Sequence, residues 1–376
     1  MFITLTACLH TLFATCCRWR TLDDIELYDG YRRRPQMWNG ATAAVFKVLH
    51  HGKLYKLRCL LRTKYNSRAI YGDRYYPEEL FVTAPGQRSA WADVVLEEWV
   101  EGESLELVIR RAIGDREQME TLADKFDRFA LDLLSQPWAH GDLKPDNMVV
   151  TPEGELRLVD FDAMYLPQFT YADCEELGTR GYQHPRRADI FDKHIDDYPI
   201  ALISTMLHAL ALDPTLSQRY SLDDKMFITP AEAIEGRDPA LDEVERLLAL
   251  QGNAARYRIA QLLRSPYPTL TQLKELLSLS LRTLQADSGE PLESDTDRGW
   301  WGFRNPQGEF VIPPLYDCVW EFTEGLAAVQ LGRSWHFIDR LGNVVISCGE
   351  CDGVKPFRDG VAYKVVGGKR EKLILG

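Results

Sequence analysis

The run His140-Gly141-Asp142-Leu143-Lys144-Pro145-Asp146-Asn147 is followed, thirteen residues after Asn147, by Asp160-Phe161-Asp162. Between them, residues 148–159 read as a strand, a turn containing Pro152 and Gly154, and a second strand. A lone Asp-x-x-x-x-Asn is a common surface turn, and an Asp-Phe-Asp triplet alone means almost nothing. Their conjunction is far more restrictive, because a hairpin of this length holds two polar loops side by side and few chains can be built around such a pair.

Downstream stand Gly178-Thr179-Arg180-Gly181-Tyr182-Gln183-His184-Pro185, eighteen residues beyond Asp160, and Asp196-Asp197-Tyr198, which opens an apolar run over 200–212 that reads as a buried helix. In this order the segments resemble the catalytic loop, metal loop and activation-segment end of protein kinases of the bacterial Ser/Thr type. Phosphoryl transfer to a hydroxyl needs a carboxylate beside the acceptor oxygen, a cation on the moving phosphate and oxygen ligands for Mg²⁺. The resemblance implies that Asp142 orients the hydroxyl and takes its proton, Lys144 neutralises the γ-phosphate, and Asn147 and Asp160 bind Mg²⁺. It also implies that Thr179 hydrogen-bonds Asp142 and Lys144, a feature of Ser/Thr-directed kinases. An Asp at the start of the buried helix would hold the catalytic loop's backbone. Either Asp196 or Asp197 fits, with Asp196 preferred because it puts Ala201 where kinases have Gly.

Upstream, Trp38-Asn39-Gly40-Ala41-Thr42-Ala43-Ala44-Val45 aligns with the glycine loop that lies over the phosphates, with Gly40 its one surviving glycine. Residues 45–48 alternate as a strand, His51-Gly52 turns the chain, and residues 54–60 form the next strand. The place of the phosphate-anchoring Lys falls on Arg58, with Lys56 two residues earlier on the same face. Arginine can grip phosphate bidentately but is no geometric equivalent of an ammonium. No Glu partner for Arg58 is evident between 66 and 76. Residues 94–102 read as the strand and hinge that meet adenine, which brings Glu98 and Val100 to the base and sets a charged Glu97 at a position kinases keep apolar. Gly141 replaces the Arg before the catalytic Asp, Asp162 replaces a glycine and should restrict the backbone there, and Arg186 stands where kinases have Glu. ATP and Mg²⁺ are the implied cofactors.

The last eighty residues repeat themselves. Trp301-Gly302-Phe303-Arg304-Asn305, Gly308, Val311-Ile312, Tyr316-Asp317, Phe322 and Gly325-Leu326-Ala327 recur as Trp335-His336-Phe337-Ile338-Asp339, Gly342, Val345-Ile346, Cys351-Asp352, Phe357 and Gly360-Val361-Ala362. The period signals stacked units that bury apolar faces against one another, and the pattern resembles the WG repeat. Its Trp-Gly pair is intact at Trp301-Gly302 and changed at Trp335-His336. A third unit begins after Tyr363 and breaks off as a cap. The recurring aromatics read as hairpin core rather than binding surface.

These readings give an α+β chain: a two-lobed protein kinase-like fold, with a small β-rich lobe and a large helical lobe, followed by a small all-β repeat module. Residues 1–35 form an N-terminal extension, expected to be helical, since residues 2–17 are apolar yet lack the basic start of a signal peptide. Residues 36–284 form the kinase-like domain, split into a nucleotide lobe (36–101) and a catalytic lobe (102–284). The acidic stretch 285–297 reads as a linker, and 298–376 as the WG-repeat module. A net charge of −12 argues against nucleic-acid and anionic-membrane partners. No 18-residue apolar span exists to cross a membrane. The eight irregularly spaced cysteines form no disulfide framework, and Cys348-x-x-Cys351, lacking a second pair, does not read as a zinc site. The expectation is a cytoplasmic Ser/Thr kinase acting on protein hydroxyls, with the repeats engaging a protein partner. A nucleotide-binding pseudokinase, an adaptor working through its repeats and a small-molecule phosphotransferase are the alternatives.

Overall fold

The computed structural model describes residues 3–13, 18–28, 36–39, 42–62, 65–83, 89–220, 227–281 and 289–374. The chain is α+β and divides into two compact units. The first comprises residues 1–103, 149–164 and 168–175; the second holds the remainder, the C-terminal strands included.

The first unit is built on an antiparallel sheet of β1 (Ile25–Leu27), β2 (Met37–Asn39), β3 (Ala43–His50), β4 (Lys53–Leu60), β5 (Tyr75–Val82) and β6 (Ala90–Glu98), in the order β1-β3-β4-β6-β5 with β2 also on β3. Period-two alternation divides its faces. Phe46, Val48, Leu57, Cys59, Leu80, Val94 and Leu96 point to one side and form a core. Helix α1 (Leu5–Leu12), capped by the Thr4 hydroxyl, buries Ala7, Cys8 and Leu12 in that core. Residues 1–35 are therefore only partly helical. Ile25–Leu27 is a strand, because its alternating apolar residues find a free edge and pair in register Ile25 to His50 on β3. The opposite sheet face carries Val45, Lys47, Lys56, Arg58, Val95 and Glu97, which pair side by side across β3, β4 and β6. The short helix α2 (Ser67–Tyr71) completes the unit, together with a hairpin described below.

A two-residue strand, β7 (Glu103–Ser104), leads into the second unit and α3 (Leu105–Ala112). Helix α4 (Arg116–Leu133), started by the Asp115 side chain, buries Phe126 and Asp127 against α5 (Asp197–Leu212). Asp127 accepts from Ser204 Oγ at 2.6 Å and lies 2.8 Å from His208 Nε2, so its charge is answered inside the helix pair. Helices α6 (Leu216–Arg219), α7 (Pro230–Ile234), α8 (Pro239–Leu250), α9 (Ala254–Leu262) and α10 (Leu273–Ser280) follow. Among the described residues no helix is long and apolar enough to cross a membrane.

Strands β8 (Met148–Val150) and β9 (Leu156–Leu158) form the expected hairpin, closed by Thr151 and Gly154. The C-terminal strands are β10 (Glu293–Asp297), β11 (Trp300–Arg304), β12 (Phe310–Tyr316), β13 (Cys318–Val319), β14 (Ala327–Leu331), β15 (Ser334–Ile338), β16 (Val344–Glu350), β17 (Gly353–Arg358), β18 (Val361–Val366) and β19 (Lys369–Ile374). They form three small sheets, β10-β11-β12, β13-β14-β15-β16 and β17-β18-β19. Equivalent aromatics pack as the repeat requires: Phe303 meets Phe322 edge-on at 4.7 Å, and Phe337 meets Phe357 at 4.9 Å. Cys348 belongs to the same core, where burial pushes its thiol up to about 12, and Cys351 packs beside it.

Part of the expected linker is a strand. Glu293–Asp297 pairs along its whole length with Trp300–Arg304, and Asp295 meets Arg304 at 2.6 Å. A charged edge strand has the composition of a linker, which is why the acids misled; residues 285–288 lie outside the described residues.

The repeats are also docked onto the helices rather than merely attached. Arg258 on α9, 2% exposed, donates to the Leu315 carbonyl and to Asp317, both at 2.8 Å, and lies over the Trp300 ring. His336 Nε2 meets the Ala249 carbonyl of α8 at 2.7 Å. That contact explains the altered Trp-Gly pair. In the first copy a Cβ on Gly302 would meet the Ile312 carbonyl at 2.5 Å, so only glycine fits; in the second the position is opened for a histidine that reaches a helix.

Burial holds His336 below its ordinary value near 6.5, against the raising effect of the Ala249 carbonyl. The neutral ring is the folded form. Stability is therefore full above about pH 6.5 and declines below it, as the unfolded chain takes up a proton the folded one refuses. The midpoint of thermal unfolding should fall between pH 7 and pH 5, and His336→Gln should flatten part of that slope. His184, also depressed by burial, supplies slope of the same sign that remains. An unchanged slope in the variant would show that His336 takes up its proton in the folded protein as readily as in the unfolded chain.

Candidate functional site

In the second unit the residues of the His140–Asn147 run converge with Thr179. Asp142 Oδ1 accepts the backbone N–H of Thr179 at 2.5 Å, and Oδ2 accepts Asn147 Nδ2 at 2.9 Å. Lys144 Nζ donates to Thr179 Oγ1 at 2.8 Å and lies 3.5 Å from Asp142 Oδ2. Asn147 Nδ2 also donates to the Asp142 carbonyl, which leaves Oδ1 as the acceptor of that side chain. Pro145–Asn147 is a single 3₁₀ turn, the local bend that folds Asn147 back onto Asp142.

The run is braced from beneath. Asp196, 2% exposed at the start of α5, accepts the backbone N–H groups of His140 at 2.5 Å and Gly141 at 2.9 Å. Burial pushes its carboxyl upward, while those donors and His140 oppose the shift. Asp197 is occupied elsewhere, accepting from Leu270 N and contacting His194, so the choice between the two acids falls on Asp196. Gly178, at φ +73°, is required: a Cβ there would come within 2.4 Å of the Gly141 carbonyl and 3.2 Å of Asp142 Oδ1.

The other expected residues lie in the first unit. Val45 and Arg58 are cross-strand partners on β3 and β4; Glu98 ends β6, exposed, and Val100 follows half-buried. Gly40 lies outside the described residues. Arg58, 3% exposed, is held at both ends of its guanidinium: NH2 to Asp162 Oδ2 at 2.5 Å, NH1 to the Tyr71 hydroxyl at 2.7 Å and to Asp160 Oδ1 at 3.1 Å. Burial works against this charge, but Tyr71, Asp162 and Asp160 keep it protonated above its ordinary value. Tyr71 donates to Asp162 Oδ1 at 2.5 Å, and burial pushes its hydroxyl well above the usual phenol range.

These contacts explain why residues 149–164, assigned by sequence to the catalytic lobe, group with the first unit: two of their acids close on Arg58. They also give Asp162 a different meaning. The strained backbone is at Asp160, with φ 71°, and Asp162 instead supplies the carboxylate that no Glu near Arg58 supplied. Lys56, on the same sheet face, points to another acid: it meets Glu97 at 2.8 Å, and Arg74 meets Glu97 at 2.9 Å. Neither Asp162 nor Tyr71 was identifiable as a partner, since each became one only through folding. The two expected Mg²⁺ ligands thus sit in different units, Asn147 in the second and Asp160 in the first.

Residues 301–335 and 337–369 match the family model of the WG containing repeat. The matched segments are WG repeats. A second similarity is to "Putative cyclin-dependent kinase F-2" of Oryza sativa subsp. japonica, 31% identical over 141 residues. It covers 34% of this chain and 41% of that protein, so the chain spans about two fifths of the relative it matches.

Proposed function

We propose that this chain is an ATP- and Mg²⁺-dependent protein kinase that phosphorylates serine or threonine, within a two-lobed kinase-like fold whose WG repeats engage a protein partner. The observation that supports this best is the group formed by Asp142, Lys144, Asn147 and Thr179. It sets a carboxylate, an ammonium and an amide oxygen together and fixes them through Asp196. Asp142 accepts the hydrogen bond of the substrate hydroxyl and takes its proton as oxygen attacks the γ-phosphorus and the β–γ bridge breaks. Lys144 offsets charge on the transferred group. Thr179 holds both side chains in place.

The donor types suit Mg²⁺, a hard cation that takes oxygen ligands. Asn147 keeps Oδ1 because its Nδ2 is spent on Asp142, and Asp160 offers a half-exposed carboxylate. When bound, the ion offsets the negative charge of the phosphates. Val45, Glu98 and Val100 would flank the nucleotide.

Incubation with labelled ATP, Mg²⁺ and generic protein substrates tests the reading, and phosphoserine or phosphothreonine is the expected product. Arg58→Ala should weaken ATP binding and turnover, and Arg58→Lys should partly restore both, because an ammonium matches phosphate as a point charge. Lys56→Ala should do less, its charge being committed to Glu97. If Lys56→Ala is the more damaging, Lys56 is the anchor.

The hold of Asp160 and Asp162 on Arg58 favours a second reading, a nucleotide-binding pseudokinase. A guanidinium already neutralised by two carboxylates is less available to phosphate. ATP binding without transfer would establish that reading.

A further inference from the structure

Away from the groups considered so far, the β3–β4 turn of the first unit brings His50 and His51 against the two acids that precede β1. His51 Nδ1 lies 3.3 Å from Asp24 Oδ2, and His51 Nε2 lies 3.4 Å from Asp23 Oδ1. A neutral imidazole has one N–H. Whichever nitrogen carries it, the lone pair on the other faces a carboxylate, a repulsive arrangement unless a metal cation or a second proton answers it. The separation is that of two neighbouring ligands on a tetrahedral ion with bonds of roughly 2.0–2.1 Å. The His50 ring lies against that of His51, centroids 4.1 Å apart and planes tilted by 38°. Each of Asp23, His50 and His51 offers a ligand atom within 4.8 Å of the others.

The outer contacts are of the kind that orient metal-binding histidines. Asp24 Oδ2 lies 3.3 Å from His51 Nδ1, and the Asp23 carbonyl, 3.0 Å from His50 Nδ1, fixes which His50 nitrogen keeps its lone pair. Asp24 and His51, neither of them glycine, both adopt the left-handed region, with φ of 50° and 48°. The Ile25 to His50 pairing places the two segments opposite one another.

We propose that Asp23, His50 and His51 form a binding site for a borderline divalent cation such as Zn²⁺, with Asp24 as the partner that positions His51. The nitrogen-rich ligand set selects Zn²⁺, Co²⁺ or Ni²⁺ over Mg²⁺ and Ca²⁺. Such an ion would clamp β1 to the β3–β4 hairpin. The second His–Asp group among the described residues, Asp124, Asp127 and His208, is no rival, since Asp127 is bonded to Ser204 and His208, and Asp124 to Arg256.

The test is calorimetric titration of the EDTA-stripped full-length protein with Zn²⁺, alongside Co²⁺ loading read by visible absorption and thermal unfolding with and without Zn²⁺. His51→Asn suits the left-handed backbone, and His50→Gln and Asp23→Asn are exposed changes. Each should weaken Zn²⁺ affinity at least about tenfold and reduce the Zn²⁺-dependent rise in melting midpoint. Asp24→Asn should weaken it less. Variants that bind Zn²⁺ as wild type does would overturn the proposal, as would wild type that takes up no Zn²⁺ at millimolar metal. The group would then be an imidazolium held between two carboxylates.

Discussion

Asp142→Asn is expected to lower phosphoryl transfer by about 10²–10⁴-fold while leaving ATP affinity little changed. Asparagine keeps the size and can still accept from Thr179 N, but it cannot take the hydroxyl proton. Asp160→Asn should behave differently, losing Mg²⁺-dependent nucleotide binding and turnover together and loosening one contact of Arg58 at the same time. Parallel measurement of ATP affinity and of single-turnover phosphorylation separates the two. Wild type that binds Mg·ATP yet phosphorylates neither itself, nor proteins, nor small alcohols would leave the pseudokinase reading in place. Transfer to a sugar or aminoglycoside-like alcohol but to no Ser or Thr would make the chain a small-molecule phosphotransferase.

Asp162→Ala should be strongly destabilising, with a cost of about 3–5 kcal/mol. It removes the 2.5 Å partner of a guanidinium that is 4% exposed and leaves that charge inside the protein with Tyr71, a half-exposed Asp160 and the charge of Glu97 nearby. Replacing both partners, as in Arg58→Met with Asp162→Leu, should recover much of the loss, because it removes the buried charge along with its counter-ion. Urea unfolding of the full-length single and double variants measures both. A cost for Asp162→Ala of less than about 1 kcal/mol, typical of surface pairs, would show that Arg58 finds another partner and that the observed pairing is incidental.

What was legible in the chain was local. The hairpin between the two loops, the strands around residues 45–48 and 54–60, and the buried helix over 200–212 depend on alternation, turn residues and apolar runs. The structure has strands at Ala43–His50 and Lys53–Leu60 and a helix at Asp197–Leu212. Asp196 could be preferred because its neighbours set its place on the helix. Asp162 could not be recognised as the partner of Arg58, since the two lie 104 residues apart and nothing near Asp162 advertises a basic partner. Glu293–Asp297 failed for the opposite reason: its charge pattern was plain but fits both an edge strand and a tether. His336 read only as a change in the Trp-Gly pair, because its contact lies in the Ala249 carbonyl of another element.

The contrast between Gly302 and His336 sets a rule for how this array can change. A duplicated unit begins as two identical copies, yet here neither could now replace the other. A histidine at 302 would strike the Ile312 carbonyl, and a glycine at 336 would surrender the hold on α8. An insertion between the copies would have to keep both holds, Arg258 on the first copy and the Ala249 carbonyl on the second. The duplication has become an ordered pair, the first member held by Arg258 of α9 through Leu315 and Asp317 and the second by its own His336 on α8.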